Sequence, residues 1–321
     1  MTDRETAAPI HVVAGVLRDT RGRVLLTQRP HGKQHAGLWE FPGGKLEAGE
    51  SARTALQREL HEELGIVAVI GRRRIDVADA HVRLDAYEVD HFSGPMRGRE
   101  SQALAWVDPW KIESQWLPPL DWPIVASIRL PDRYLITPIP APGGESGFLD
   151  SIAAALDAGI CLVQLRAPGW SRNTLAPLAR RAHGLCRERG ARLLLNADFE
   201  LASVLGLDGV HLPYRIASNL NERPIPASML LGVSCHSPME LAHAATMGAD
   251  FATLSPIQPT DSHPHSTPLG WENAGDMLAS ANLPVYALGG LSVDDLAHSF
   301  ENGFQGIAAI RALWPSLPPL R

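Results

Sequence analysis

Glu59, Glu62 and Glu63 lie three and four residues apart in the run RELHEELGI. On a helix advancing about 100° per residue, Glu62 and Glu63 fall within about 60° on either side of Glu59, so the three carboxylates share one face. Leu56, Leu60 and Leu64 form a neighbouring stripe that would bury against a domain, which puts the acidic face at the rim of the buried surface. Their mutual repulsion must be offset. A hard divalent cation, Mg²⁺ or Mn²⁺, would do so, bind phosphate oxygens and lower the pKa of a bound water. The competing reading is a solvated charged face in which Arg58 pairs with Glu62 one turn on. Ser51 suits the N-cap of this helix and Gly65 its C-terminal stop. Gly43 and Gly44, just upstream, permit close backbone approach to an anionic ligand.

The elements that must carry this helix divide the chain in two. Its 321 residues hold two ordinary domains, and 45% hydrophobic with 20% charged residues is a globular composition with room for sizeable cores. From about residue 10 the chain alternates like strands, HVVAGVLRD and RVLLTQR; after the acidic helix, IDVADAHVRLDAYEVDHF suggests an antiparallel pair. Proline and glycine then accumulate, marking a boundary near Pro131 and domains over residues 1–130 and 131–321. Beyond it, eight short apolar segments from YLITPI to GIAAIRAL alternate with amphipathic helices, with one weak crossover between DGVHL and LLGVSCH. The expected fold is therefore α+β followed by a compact (β/α)8 barrel, with a doubly wound open sheet as the alternative. A net charge of −6 without basic stripes argues against a nucleic-acid polymer as partner. Cys161, Cys186 and Cys235 suggest neither a disulfide framework nor a zinc site, and no apolar run approaches a membrane span. The polar N-terminus carries no apolar signal core, and the expected location is the cytoplasm.

The spacing of Gly44, Glu50, Arg58, Glu59, Leu60, Glu62, Glu63, Gly65 and Ile66 matches the signature of Nudix hydrolases at every specified position. Residues 10 to 130 resemble that family, which implies an α+β Nudix fold and cleavage of a nucleoside diphosphate linked to another group. By the same resemblance Glu59, Glu62, Glu63 and the Gly43 carbonyl would hold the metal. Arg58 would orient the acidic cluster, and Glu50 would support it. Glu62 and Glu100 are the two candidates for the base, Glu100 having a competing reading as a solvent-exposed loop carboxylate. LLTQRPHGKQHAGLWEFPGGKLEAGE and WLPPLDWPIV resemble the MutT subgroup, which hydrolyses 8-oxo-dGTP to the monophosphate. That likeness implies Arg29 at the triphosphate, Phe41 at the base pocket and Asp121 where relatives often carry an asparagine that hydrogen-bonds the oxidised purine. A simple turn residue is the competing reading of Asp121, and His35 reads as a loop residue.

Residues 133 to 315 resemble thiamine-phosphate synthase and its relative TenI, a thiazole tautomerase, through phrases such as VQLRAPG, LLGVSCHSPMEL and PVYALGGL. Gly289 and Gly290, with the turn after Ile310, end late strands where barrels bind phosphate through backbone N–H groups; Gln164 and Arg166 project toward the same mouth. His236 matches a histidine that transfers protons in TenI, with a structural role as the alternative. Several synthase residues are absent. Pro168 replaces a lysine, Ala197 an aspartate, an acidic residue is missing from PYRIAS, and PTDSH in the loop with His263 and His265 lacks a second lysine. The whole implies a Mg²⁺-dependent (or Mn²⁺-dependent) 8-oxo-dGTP diphosphatase with a barrel of doubtful synthase activity. Two alternatives stand: hydrolysis of a thiamine-pathway diphosphate beside a tautomerase-like barrel, and a barrel that only binds thiamine or thiazole phosphate.

Overall fold

The computed structural model describes residues 9–30, 32, 35–260, 267–279 and 281–315. The chain forms two compact units, Met1–Arg129 and Leu130–Arg321.

The first unit is a two-sheet α+β domain. One sheet has the order β4 (Gly43–Lys45), β1 (Ile10–Val16), β6 (Val82–Ser93), β5 (Val67–Ala78), and the other has β3 (Trp39–Glu40), β2 (Val24–Gln28), β7 (Leu104–Val107). β1 runs parallel to β6 and antiparallel to β4, while β5 and β6 form the antiparallel pair expected from their alternation. Alternation along β1 decides what each face covers. Val13 joins Leu56, Leu60 and Leu64 of helix α1 (Ala52–Leu64), whereas Ala14 and Val16 join Ile124, Val125 and Ile128 of α2 (Trp122–Arg129). β5 is an edge strand, and three register shifts between Val69 and Ile75 break its regularity around Arg72, Arg73 and Arg74. Bulges and charge at an edge disfavour pairing with another chain.

The second unit is a closed barrel of eight parallel strands, which excludes the open-sheet alternative. Its strands are β8 (Arg133–Ile136), β9 (Leu162–Leu165), β10 (Arg192–Asn196), β11 (Gly209–Pro213), β12 (Leu230–Cys235), β13 (Phe251–Leu254), β14 (Val285–Leu288) and β15 (Gly306–Ala309). Between them run α3 (Glu145–Asp157), α4 (Arg172–Glu188), α5 (Phe199–Leu205), α6 (Tyr214–Ala217), α7 (Pro238–Thr246), α8 (Trp271–Leu278) and α9 (Leu296–Glu301). The weak crossover is the four-residue α6. Between β14 and β15 the helical segment is a 3-10 turn, Val293–Asp295, followed by α9. Tyr134, Leu162, Leu194, Leu230, Phe251, Tyr286 and Ala308 fill the barrel interior, and a larger apolar layer seals strands to helices. All three cysteines are free: Cys161 is exposed, while Cys186 and Cys235 are buried, and burial pushes both their thiols up, Cys186 to about 12. No helix among the described residues is long and apolar enough to cross a membrane.

Leu60 is fully buried between α1 and the sheet. Leu60→Ala should cost the first unit about 2–5 kcal/mol, read by calorimetry as an earlier first transition in the full chain. An unchanged thermogram would contradict the packing described.

Candidate active sites

Helix α1 is built as its sequence demands. The Ser51 hydroxyl accepts from the Thr54 N–H at 3.2 Å, and Gly65, at φ 71°, returns its N–H to the His61 carbonyl. Two further carbonyls at that end are taken by the following loop: Arg97 N–H reaches Leu64 O at 3.0 Å, and Arg99 N–H reaches Glu63 O at 2.8 Å. Glu100 therefore lies in a loop fastened to the end of α1, with its own N–H on the Gln102 side chain.

Arg58 gathers the acidic residues. Its guanidinium donates to Glu50 Oε1 at 2.7 Å and Oε2 at 3.3 Å, to Glu59 Oε1 at 2.9 Å, to Glu62 Oε2 at 3.3 Å and to the Lys45 carbonyl at 3.0 Å. These bonds, above all those to Glu50, raise the Arg58 pKa. In return the Arg58 guanidinium, helped by the Glu47 N–H, holds Glu50 below the usual carboxylate range. The Glu50 and Glu59 side chains are 14% and 16% exposed, but that of Glu62 is 58% exposed, so the cluster opens to solvent at Glu62. The bland expectation of an Arg58–Glu62 pair is thus met within a larger assembly. Gly43 and Gly44 belong to β4, opposite Ala14 and Val13. A Cβ on Gly43 would stand 2.0 Å from the Val13 carbonyl oxygen, and one on Gly44 would stand 2.3 Å from the Glu59 carboxyl carbon. Their close approach is made to β1 and to Glu59.

Asp121 ends a 3-10 turn, Pro119–Asp121, yet its carboxyl is buried and accepts the Phe41 N–H at 3.1 Å. Burial, opposed by that bond and reinforced by Glu40, pushes it up to about 7. Arg29 pairs with Glu40, and Phe41 is part of the core beside α2. Three of the expected residues, Arg29, Phe41 and Asp121, therefore fall in one region with Glu40, by contact or by charge.

At the C-terminal mouth of the barrel, Gln164 and Asn196 meet through Asn196 Nδ2 and Gln164 Oε1 at 3.2 Å, and Arg166 N–H bonds the Thr137 hydroxyl. His236 is exposed; its N–H reaches Glu240, and its Nδ1 lies 2.8 Å from the Ser255 carbonyl. Gly289 and Gly290, at φ 105° and 73°, pack on the segment 256–259, where a Cβ would come within 2.9 Å of Pro256 Cα and 2.5 Å of the Pro259 carbonyl oxygen. Ala197 takes φ 70°, a left-handed conformation that costs a residue with a Cβ about 1–2 kcal/mol. The bend sends the next carboxylate away: Asp198 caps α5 through Leu201 N–H and holds Arg172 at 2.6 and 2.8 Å. His263, His265 and Ser262 lie outside the described residues.

Residues 9–128 match the family model described as NUDIX domain, and residues 133–313 match that of thiamine monophosphate synthase. The chain belongs to both families. Its Nudix unit is 42% identical over 120 residues to the CTP pyrophosphohydrolase of Escherichia coli, covering 36% of this chain and 88% of that protein. Its synthase-like unit is 32% identical over 197 residues to a thiamine-phosphate synthase of Thermus thermophilus, covering 59% of this chain and 92% of that one. A solved MutT from work on Aliivibrio salmonicida and Vibrio cholerae is 35% identical, with 37% and 96% of the two chains covered and a TM-score of 0.34. The Nudix unit is thus a hydrolase domain of the kind that acts on diphosphate linkages.

Nudix hydrolases use divalent cations. The donor set here fits one in kind, because Glu59, Glu62, Glu63 and Glu50 offer only hard oxygens and outnumber the single guanidinium among them. Among the described residues no three acidic, histidine or cysteine side chains form a ready ligand cage. Arg58 holds the centre that such a cage would need. Sequence reasoning missed Tyr134, His211 and Ser234, which join Gln164 inside the barrel. A histidine in the apolar phrase DGVHL was the available signal.

Asp121 supplies a pH test. A carboxyl whose folded pKa lies near 7, above its ordinary 3.8, binds its proton more tightly folded than unfolded. Its contribution to stability is complete below about pH 4 and declines as pH rises to about 7. Asp121→Asn removes that decline, so the variant should be the more stable protein above pH 7, by at most about 4 kcal/mol. Melting curves at pH 5 and pH 8 measure this, and parallel shifts in both proteins would count against a buried protonated carboxyl.

Proposed function

We propose that the Nudix unit is a divalent-metal-dependent pyrophosphohydrolase of nucleoside triphosphates, of the 8-oxo-dGTP diphosphatase type, in which Asp121 reads the base. The observation that carries this is the Asp121 carboxyl itself, buried and bonded to the Phe41 N–H, its pKa pushed up to about 7 by that burial. Protonated, it both donates and accepts, as an asparagine amide does. That restores the hydrogen-bonding capacity which the change of residue type would otherwise remove. A cation held by Glu59, Glu62, Glu63 and the Gly43 carbonyl would neutralise the diphosphate and acidify water. Arg58 keeps Glu50 ionised and bonds Glu59, while Glu62, the most open of the three, is the better placed proton acceptor for attack at phosphorus. Arg29, tied to Glu40, contributes positive charge toward the triphosphate.

A second reading of the base is favoured by the 42% identity to a protein named for CTP. An ionised Asp121 would accept from the exocyclic amine of cytosine. For the barrel, the supported reading is a site for a thiamine-pathway phosphate with impaired synthase chemistry. Asp198 is committed to Arg172 and to the cap of α5, and Pro168 and Ala197 bring no charge.

With Mg²⁺, the full chain should release pyrophosphate from 8-oxo-dGTP faster than from dGTP or CTP, and faster than it releases phosphate from thiamine diphosphate. A preference for CTP establishes the cytosine reading, and a preference for thiamine diphosphate ties both units to one pathway. Glu59→Gln and Glu63→Gln should each lower kcat by at least about a hundredfold without changing the melting curve. Full activity in both would overturn the assignment of the acidic helix. For 8-oxo-dGTP, kcat/KM should fall as pH rises past 7, when Asp121 loses its proton, and Asp121→Asn should abolish that fall.

A further inference from the structure

The loop that follows β6 folds back onto the end of α1. Besides the backbone bonds of Arg97 and Arg99, the Arg99 guanidinium donates to His61 O at 3.1 Å, where a cation also suits the C-terminal end of the helix dipole. Gly65 makes room for it. A Cβ there would stand 2.7 Å from Arg99 Nε, so this signature glycine is required both by its φ of 71° and by the guanidinium beside it.

Gln102 completes the junction with a single amide. Its Nε2 donates to Glu63 O at 3.3 Å, and its Oε1 accepts from the Glu100 N–H at 2.8 Å. One partner is a carbonyl and the other an N–H, which fixes the orientation of the amide and demands a group that both donates and accepts. Glu63 O thereby receives two donors, the Arg99 N–H and Gln102. Gln102 is itself held from behind. Ala103 O accepts from the Gln28 N–H at 2.9 Å, Leu104 pairs with Thr27 in the β2–β7 ladder, and a Cβ on Gly98 would stand 2.4 Å from the Gln102 carbonyl oxygen. The backbone of Glu63, on the acidic helix, and that of Glu100, on the loop, are thus tied through one side chain.

We propose that Gln102 is a positioning residue for hydrolysis, its amide fixing the Glu100 backbone against that of Glu63 so that helix and loop meet cation and phosphate as one preset frame. Arg99 secures the same frame at His61. The catalytic meaning rests on reading the acidic helix as the hydrolytic centre; the tie between the two backbones does not. Preset geometry matters because a displacement of about 1 Å lowers a rate about a hundredfold. Gln102 acts through Glu63 and Glu100, not on the phosphate.

The first test needs neither metal nor nucleotide. In the full chain, hydrogen exchange read by NMR should show the Glu100 amide protected at least about tenfold beyond an unstructured one. Exchange at the unstructured rate removes the tie and overturns the proposal. Gln102→Met, of similar length but without the amide, should release that protection and weaken Mn²⁺ binding in the absence of nucleotide about tenfold, read by electron paramagnetic resonance. Its kcat for the nucleoside triphosphate hydrolysed fastest should fall about ten- to a hundredfold with KM unchanged. Gln102→Glu keeps the acceptor for the Glu100 N–H and loses the donor to Glu63 O, so it should retain the protection while losing kcat as the methionine variant does. Parental Mn²⁺ affinity and kcat in Gln102→Met overturn the proposal. So does a loss of kcat that tracks a lowered melting temperature and disappears on cooling, which makes Gln102 a structural brace. Should Gln102→Met fail to fold, exchange at Glu100 in the parent protein and the kinetics of Gln102→Glu decide. Full activity of Glu63→Gln removes the reading beneath the proposal and with it the catalytic role, while exchange at Glu100 still reports on the tie.

Discussion

One guanidinium organises the acidic end of the Nudix unit. Arg58 reaches Glu50 across a loop, Glu59 beside it, Glu62 one turn on and the Lys45 carbonyl on β4. Without that charge the carboxylates would repel and splay into solvent. With it, helix, loop and strand are fastened at one point, and the glycines of β4 follow as a necessity, since Gly44 lies against Glu59 where no side chain fits. The cost is electrostatic competition: any metal the site takes must share those oxygens with a cation the chain already supplies.

The barrel solves a different problem. Its centre holds Tyr134, Tyr286, Phe251 and His211 in mutual ring contact, so the polar atoms carried inside need partners there. Gly232 gives up its side chain to let the imidazole and Phe251 in, and the amides of Gln164 and Asn196 carry the hydrogen bonding outward to the rim. The rim carboxylates are spent internally, Asp198 on Arg172 and Glu240 on the His236 N–H.

How much of this was legible follows from distance along the chain. The caps Ser51 and Gly65, the stripe Leu56, Leu60, Leu64 and the β/α alternation of the barrel are local patterns, and the structure reproduces them. β3 and β4 were not foreseen, because strands of two and three residues have no periodicity and Gly43–Gly44 reads as a loop until Val13 and Ala14 are seen to pair with it. The burial of Asp121 was equally hidden, since its partner Phe41 is 80 residues away. The Tyr134–His211 contact spans 77 residues and joins strands that are not adjacent in the barrel. Only closure of the sheet brings such residues together.

The cysteines carry a further consequence. The Cys186 and Cys235 thiols are buried and held in their protonated form, the state least able to react with peroxide, and only Cys161 faces solvent. Neither site described above contains a cysteine. Such a chain loses no catalytic group when thiols are oxidised, so oxidant stress that damages its proposed substrate would leave its own chemistry working. Cys161 also offers a single accessible anchor for a maleimide dye or spin label, placed on the second unit without engineering.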